Sequence, residues 1–410
     1  MNVEPQIDWR TKGFWWPGPA VDAADFVAAG HHLFGGAFTW PTLVVRRTAI
    51  EHNIRTLADF CVRHGLAFAP HVKTTMAPSL IAAQVAAGAW GVTVATANQA
   101  LAAHAMGQRR VVLASQVLDP APLRWAAGEA QRGFELLFQV DSTTGVALAA
   151  DALRTAPGDR PLRVLVELGY PGGRTGCRTL GDLADVAAAV DAAPRLDLAG
   201  IAAYEGGLPE PAEVAAFLDR VRVATRDLGR RGPLPAEVVV AAGGSAYFDI
   251  VAERLAGQWL PGHHLTTVLR SGAYVSHDDG FYRLRTPFRR VPDEGFLDAA
   301  VEVWAQVLST PEAGLAIVGM GKRDVPCDEG PPEPAWVRRL DGTLVPARGL
   351  QVSRLNDHHG FVATDDVTPL RPGDLVGFGI SHPCTAFDRW RTIPVVDEDR
   401  TVVDVLQTYF

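Results

Sequence analysis

The segment "FAPHVKTT", Phe68 to Thr75, ends a short apolar run on a lysine. A lysine held at the end of a buried strand loses hydration, which lowers its pKa and frees the amine to act as a nucleophile or base. Lys73 therefore has what a Schiff base with an aldehyde cofactor such as pyridoxal phosphate requires, although most lysines are simply solvated surface residues. Such a cofactor also needs a cradle for its phosphate. In "VVVAAGGSAYF", Gly243 and Gly244 let the backbone approach closely, and Ser245 is read as opening a helix whose N-terminal amides favour an anion. The same triplet also serves as ordinary helix N-cap chemistry. "VELGYPGGRTGC" carries Arg174 in a Gly-rich turn, where it is either a solvated loop residue or a donor to an anionic oxygen. "IAAYEGG" places Tyr204 at the end of another apolar run.

A second constellation lies near the C-terminus, in "GISHPCTAFD". Read as a strand, His382 and Cys384 point to the same side, so imidazole and thiolate can share one metal such as Zn2+. Two protein ligands leave positions open for Lewis-acid work, whereas a structural reading makes Cys384 a small buried hydrophobe. His359 in "NDHHG" is a further polar group within reach of such a site, while His263 and His264 read as loop histidines. Cys61, Cys177, Cys327 and Cys384 form no CxxC pair, so no disulfide framework is expected.

These residues need a frame to bring them together. Eight apolar runs, "AFAPHV", "GVTVAT", "RVVLAS", "ELLFQV", "LRVLVEL", "LDLAGIAAY", "AEVVVAA" and "HLTTVLR", alternate with Ala-rich segments of helical length. Continuously apolar strands covered by helices predict a parallel sheet, and eight units fit a (β/α)8 barrel better than a doubly wound sheet. In a barrel, Lys73, Arg174, Tyr204 and the Gly243–Ser245 turn all fall at strand C-termini, the face where barrels do chemistry. After residue 271 the helical periodicity fades into strands and Gly/Pro/Asp turns. The expected domains are an N-terminal extension (1–41), a barrel (42–270) and a mostly β domain (271–410), with "TLVVRR" a candidate to join the β domain. Nearly half of the 410 residues are apolar, enough for one large core plus a smaller domain. The net charge of -8 and the lack of basic blocks argue against a nucleic-acid partner. No long apolar span and no leader-like N-terminus stand out, so a cytosolic protein with no membrane partner is expected.

Taken in order, these motifs resemble the fold-type III pyridoxal-phosphate enzymes of the D-serine dehydratase and D-threonine aldolase family, from about residue 40 to the C-terminus. "PHVKT" resembles that family's Schiff-base lysine motif, implying that Lys73 carries the cofactor. "GGRTG" implies Arg174 at the phenolic oxygen, "YEGG" implies Tyr204 near the pyridine ring, and "GGS" implies the phosphate loop. "SGAYV" implies that Tyr274 contacts the phosphate, and "SHPC" implies His382 and Cys384 as the Zn2+ pair. The resemblance also implies a homodimer in which each β domain helps to close the partner's barrel mouth. Thr75 and Met76, Gly207 and Ser271 depart from the family pattern and bear on the substrate. The implied reaction is metal-assisted dehydration and deamination of a D-β-hydroxy amino acid, D-serine or D-threo-3-hydroxyaspartate, to a 2-oxo acid and ammonia. The alternatives are retro-aldol cleavage to glycine and an aldehyde, and a non-catalytic pyridoxal-phosphate carrier. Cys384 favours dehydration, because family aldolases tend to carry H-x-D where dehydratases carry H-x-C; a carrier needs neither the metal pair nor a β domain.

Overall fold

A computed structural model describes residues 6–232, 234–365 and 367–410. All eight expected runs form strands of one parallel sheet: Ala67–Phe68, Val92–Val94, Arg110–Leu113, Glu135–Val140, Leu162–Leu168, Leu196–Ala203, Glu237–Ala242 and His264–Leu269. From the second strand on, each strand pairs with the next in sequence, and the last returns to the first through Val268 and Leu269 opposite Ala67 and Phe68. The seam between the first two strands is closed more sparsely. It consists of the Trp90 N–H donating to the Phe68 carbonyl (2.7 Å), the Thr93 N–H donating to the Pro70 carbonyl (2.8 Å), and His71 opposite Thr93.

Helix starts follow local chemistry. Thr179 and Asp182 form a reciprocal capping box, while Ser142 and Thr96 accept from the N–H groups of Gly145 and Gln99. The barrel interior is filled by Val112, Leu137, Leu165, Val239 and Val268 with Ala69, Ala199 and Ala241. Two residues further along their strands, at the C-terminal ends, Gln139, Glu167 and Arg270 are buried instead of aliphatic side chains. Period-two alternation thus turns the interior column polar where it reaches the barrel mouth.

The strands after the barrel form a second, mostly antiparallel sheet around the long strand Val301–Glu312. Thr42–Arg46 belongs to this sheet and not to the barrel. It pairs antiparallel with Val301–Trp304 and parallel with Val395–Val396. The run "TLVV" is buried throughout, which an outer barrel connection would not provide. The described part of the N-terminal extension is an added layer on this sheet, with Phe14, Phe26 and Phe38 packed on one another at ring-centroid distances of 5.0–5.9 Å. They share a core with Val44, Trp304, Val402 and Val405. Lys12 ties the layer to the rest of the β domain, pairing with Asp324 at 2.9 Å and lying 3.9 Å over the Trp390 ring. Among the described residues, no helix is long and apolar enough to cross a membrane.

Candidate active site

A cleft of about 870 Å³ opens at the C-terminal end of the barrel, where the β domain meets it. Lys73, Arg174, Tyr204, Gly243, Gly244, Ser245, His382 and Cys384 all line it. Lys73 lies in a single 3-10 turn, Val72–Thr74, that follows the first strand past the barrel seam. Burial lowers its pKa, and the nearby Arg174 and Arg270 guanidinium groups act in the same direction against the opposing Cys384 sulfur. An amine so placed gives up its proton more readily than a solvated lysine. Next to it, His71 is held neutral by burial and by Lys73, Arg270 and Arg174, and its Nδ1 is buried without a partner.

Arg174 stands 4.3 Å over the Tyr204 ring, so the Gly-rich turn brings its charge to the cleft, where the side chain stays exposed. Arg270, at the end of the last strand, is fully enclosed. Its Nη2 donates to the carbonyls of Ala203 (2.5 Å) and Ala241 (3.5 Å), while Nε has no partner. Sequence reading missed Arg270. Its signal was present, as the lone charge closing the apolar run "HLTTVLR".

The Gly243–Ser245 turn differs from the expectation in two ways. The helix begins later, at Phe248, with Tyr247 before it, so Ser245 does not open it. In addition, the Gly243 and Gly244 amides already donate to the buried carboxylate of Glu205, at 3.1 and 2.7 Å. Ser245 Oγ accepts from the Gly272 and Ala273 amides, at 3.3 and 3.1 Å. The two backbone turns meet at one corner of the cleft, where a phosphate would have to exchange for the Glu205 and Ser245 oxygens that these amides now serve. Glycine is required at Gly243, where φ is +100° and a Cβ would lie 2.2 Å from Leu269 Cδ1. At Gly272 a Cβ would lie 2.6 Å from the His71 carbonyl.

Tyr274 does not reach this corner. It is 1% exposed, its hydroxyl accepts from Gln84 Nε2 at 2.8 Å, and its ring packs edge-on against Phe68 at 5.3 Å. The 3-10 turn Ala273–Val275 rotates that side chain into the core and leaves only the backbone of the preceding residues facing the cleft. Gly207, another departure from the family pattern, is compensated by Tyr170, whose Oη would lie 2.6 Å from a Cβ at that position.

His382 and Cys384 are neighbours, but not as alternate residues on a strand. The strand Leu375–Gly379 has ended, and Pro383 starts a 3-10 turn, Pro383–Thr385, that folds the thiol back beside the imidazole. Asp328, absent from the sequence reading, holds His382 Nδ1 at 2.8 Å and accepts from Thr385 Oγ1 at 3.1 Å. Burial works against charge on His382, yet the Cys384 sulfur and the Asp328 carboxylate outweigh it and lift the imidazole to about 9. The turn meets the Lys73 turn directly, with Cys384 Sγ 3.7 Å from Thr74 Oγ1. No cluster of three or more His, Cys, Asp or Glu side chains suited to a metal occurs among the described residues. His359 lies apart from it, exposed at the tip between Gln351–Leu355 and Gly360–Ala363. His263 and His264 lie at the opposite end of the barrel, at the start of the last strand, with His264 paired to Glu237 at 2.8 Å.

The residues present fit a phosphorylated aldehyde cofactor. A lysine of lowered pKa, two arginines, and unpartnered buried nitrogens on His71 and Arg270 face one cavity. Comparisons with known proteins agree. Residues 45–267 match the family model for the alanine racemase N-terminal domain, and residues 300–396 match that for a putative serine dehydratase domain. D-threonine aldolase from Arthrobacter sp. is 26% identical over 334 residues, covering 79% of this chain and 80% of that protein. D-threo-3-hydroxyaspartate dehydratase from Delftia sp. strain HT23 is 28% identical over 351 residues, covering 80% and 84%. In structure, D-threonine aldolase from Filomicrobium marinum superposes with a TM-score of 0.77 at 24% identity, over 91% of this chain and 95% of that one. The Delftia dehydratase superposes at 0.70 with 24% identity, over 90% and 97%, and a cysteine-to-alanine variant of it is known in a metal-free form.

Proposed function

Because this chain belongs to the alanine-racemase-like, fold-type III pyridoxal-phosphate family, among the lyases of D-β-hydroxy amino acids, we propose that it dehydrates and deaminates such an amino acid. The products would be a 2-oxo acid, ammonia and no net water, since the water lost from the β-carbon is returned in hydrolysis of the nitrogen. The observation that carries the reading is the contact of the His382–Cys384 turn with the Lys73 turn, which sets two metal-ligating side chains across from an amine of lowered pKa. Candidate substrates are D-serine and D-threo-3-hydroxyaspartate.

Pyridoxal phosphate, when bound, supplies an electron sink for a bond broken at Cα. In this reading Lys73 would hold it, and the Lys73 Nζ would accept the Cα proton of the substrate. Burial, with Arg174 and Arg270 acting in the same direction against the Cys384 sulfur, lowers the pKa of that amine. Ser245 with the Gly272 and Ala273 amides would take the phosphate, and Tyr204 under the Arg174 guanidinium forms one wall of the cleft. His382 and Cys384 would hold a divalent metal, with Zn2+ favoured by the nitrogen–sulfur donor pair, to assist departure of the β-hydroxyl. Asp328 fixes the ring so that Nε2 is the free donor.

Retro-aldol cleavage is the second reading, favoured by the likeness to the two D-threonine aldolases. The purified enzyme, incubated with D-serine, D-threonine and D-threo-3-hydroxyaspartate, decides between them when 2-oxo acid, ammonia and glycine are assayed together. Oxo acid with equimolar ammonia is expected. Glycine and acetaldehyde from D-threonine, with no ammonia from any substrate, reverses the assignment. The reading also includes a homodimer, on the family resemblance, and a cytosolic location, as expected from the sequence.

A further inference from the structure

The cleft holds more positive charge than the proposed cofactor accounts for. Its arginines are Arg174, Arg270, Arg285 and Arg290. Arg174 is stacked on Tyr204 and Arg270 is bound to two carbonyls. Arg290 is held by Asp249 through two hydrogen bonds of 2.7 Å and is already neutralised. Arg285 is different. No carboxylate lies within salt-bridge distance of it among the described residues, and its guanidinium rests 4.0 Å over the Phe281 ring. Arg283, on the same short helix, instead turns back to the Asp279 carbonyl.

The position of Arg285 gives that spare charge a use. Helix Phe281–Arg285 sits above the barrel mouth, and the Phe281 and Tyr282 rings stand 5.9 and 6.0 Å from the His382 ring. If the β-hydroxyl is directed to the His382–Cys384 turn, the other substituent of the β-carbon projects beside it, toward Phe281 and the cation stacked on it. Glu210 and Glu329 also line the cleft, so an anionic substituent needs a dedicated cation to be accepted there. We propose that Arg285 is a specificity-determining residue that binds a carboxylate on the substrate's β-carbon, making a D-3-hydroxy dicarboxylic amino acid the preferred substrate over D-serine. This rests on the D-β-hydroxy amino acid reading above and selects within it.

Charge-assisted hydrogen bonds of this kind contribute enough that losing them shifts affinity by roughly 10- to 100-fold. The test compares wild type, Arg285→Ala and Arg285→Lys. The ratio of kcat/KM for D-threo-3-hydroxyaspartate to that for D-serine should fall by about that factor in Arg285→Ala, through KM, and recover in part in Arg285→Lys. In parallel, titration calorimetry of the holoenzyme with D-aspartate and D-alanine, which have no β-hydroxyl to lose, should show D-aspartate bound more tightly by wild type and the preference lost in Arg285→Ala. An unchanged ratio and preference, or an equal loss for both members of each pair, overturns the assignment. Equal loss would mean that Arg285 serves the α-carboxylate or the shape of the cleft. If no D-β-hydroxy amino acid is turned over by wild type, the functional reading fails, while the D-aspartate and D-alanine titrations still decide the role of Arg285.

Discussion

Asp278 offers a perturbation whose sign and size can be worked out in advance. Its Oδ1 accepts from three amides, Gly280 (3.0 Å), Tyr282 (2.8 Å) and Arg283 (3.2 Å), and so fixes the start of the helix that carries Arg285. Its Oδ2 is buried with no partner. Burial dominates over those amides and over His382, and pushes the carboxyl up to about 7 from 3.8. The folded protein then holds this proton more tightly than the unfolded chain does. Stability from this group is complete below about pH 4, falls as pH rises, and is lost once pH passes about 7, by an amount that cannot exceed roughly 4 kcal/mol. Asp278→Asn keeps the Oδ1 acceptor and removes the charge. It should be neutral or about 1 kcal/mol destabilising at pH 5, from an unpaired amide N–H, and stabilising by about 1–3 kcal/mol at pH 8. Urea unfolding midpoints of holoenzyme, variant minus wild type at each pH, isolate the effect, because the opposite titration of His277 cancels in the difference. Parallel pH profiles for the two proteins would refute the claim that this carboxyl is buried and strained toward its neutral form.

Lys73→Ala should abolish turnover and leave any bound pyridoxal phosphate removable by gel filtration, whereas wild type retains it after borohydride reduction; equal retention in both proteins counts against Lys73. Asp328→Ala leaves His382 without its orienting carboxylate, and metal retention should weaken by about 10- to 100-fold, read as the chelator concentration that strips the metal. Unchanged retention would mean that Asp328 serves only to hold Thr385. Sedimentation of the holoenzyme should show a homodimer; a fully active monomer removes the expected contribution of a partner's β domain to the barrel mouth.

The barrel was legible because its strands are buried on both sides and so read as unbroken apolar runs, and because turn or polar residues at or just after their ends mark the mouth. Lys73, Arg174 and Tyr204 were found by that logic. His382 and Cys384 were expected side by side for an incorrect reason: Pro383 turns the chain where alternation along a strand had been assumed. Arg270 was overlooked although it closes its run in the same way, whereas Glu205 and Asp328 escaped because their importance depends on what lies across space. Glu205 matters for two amides 38 and 39 residues away, and Asp328 for a histidine 54 residues on. Tyr274 was misplaced because a 3-10 turn rotates side chains by about 120° per residue, and the motif does not reveal which of its members keeps the cleft.

The strand Thr42–Arg46 sets an order on the birth of this protein. Ribosomal synthesis emits it early, ahead of the barrel, yet its hydrogen-bonding partners Val301–Trp304 and Val395–Val396 come from much later in the chain. The barrel can close once His264–Leu269 has appeared, but until the last strands arrive "TLVVR" remains a naked apolar edge, the kind of segment that chaperones shield and neighbouring nascent chains capture. A gene fragment stopping at residue 270 would keep that edge permanently unpaired and should yield inclusion bodies. A fragment cut from residue 47 to residue 270 would lack it and is the one to try for an isolated barrel.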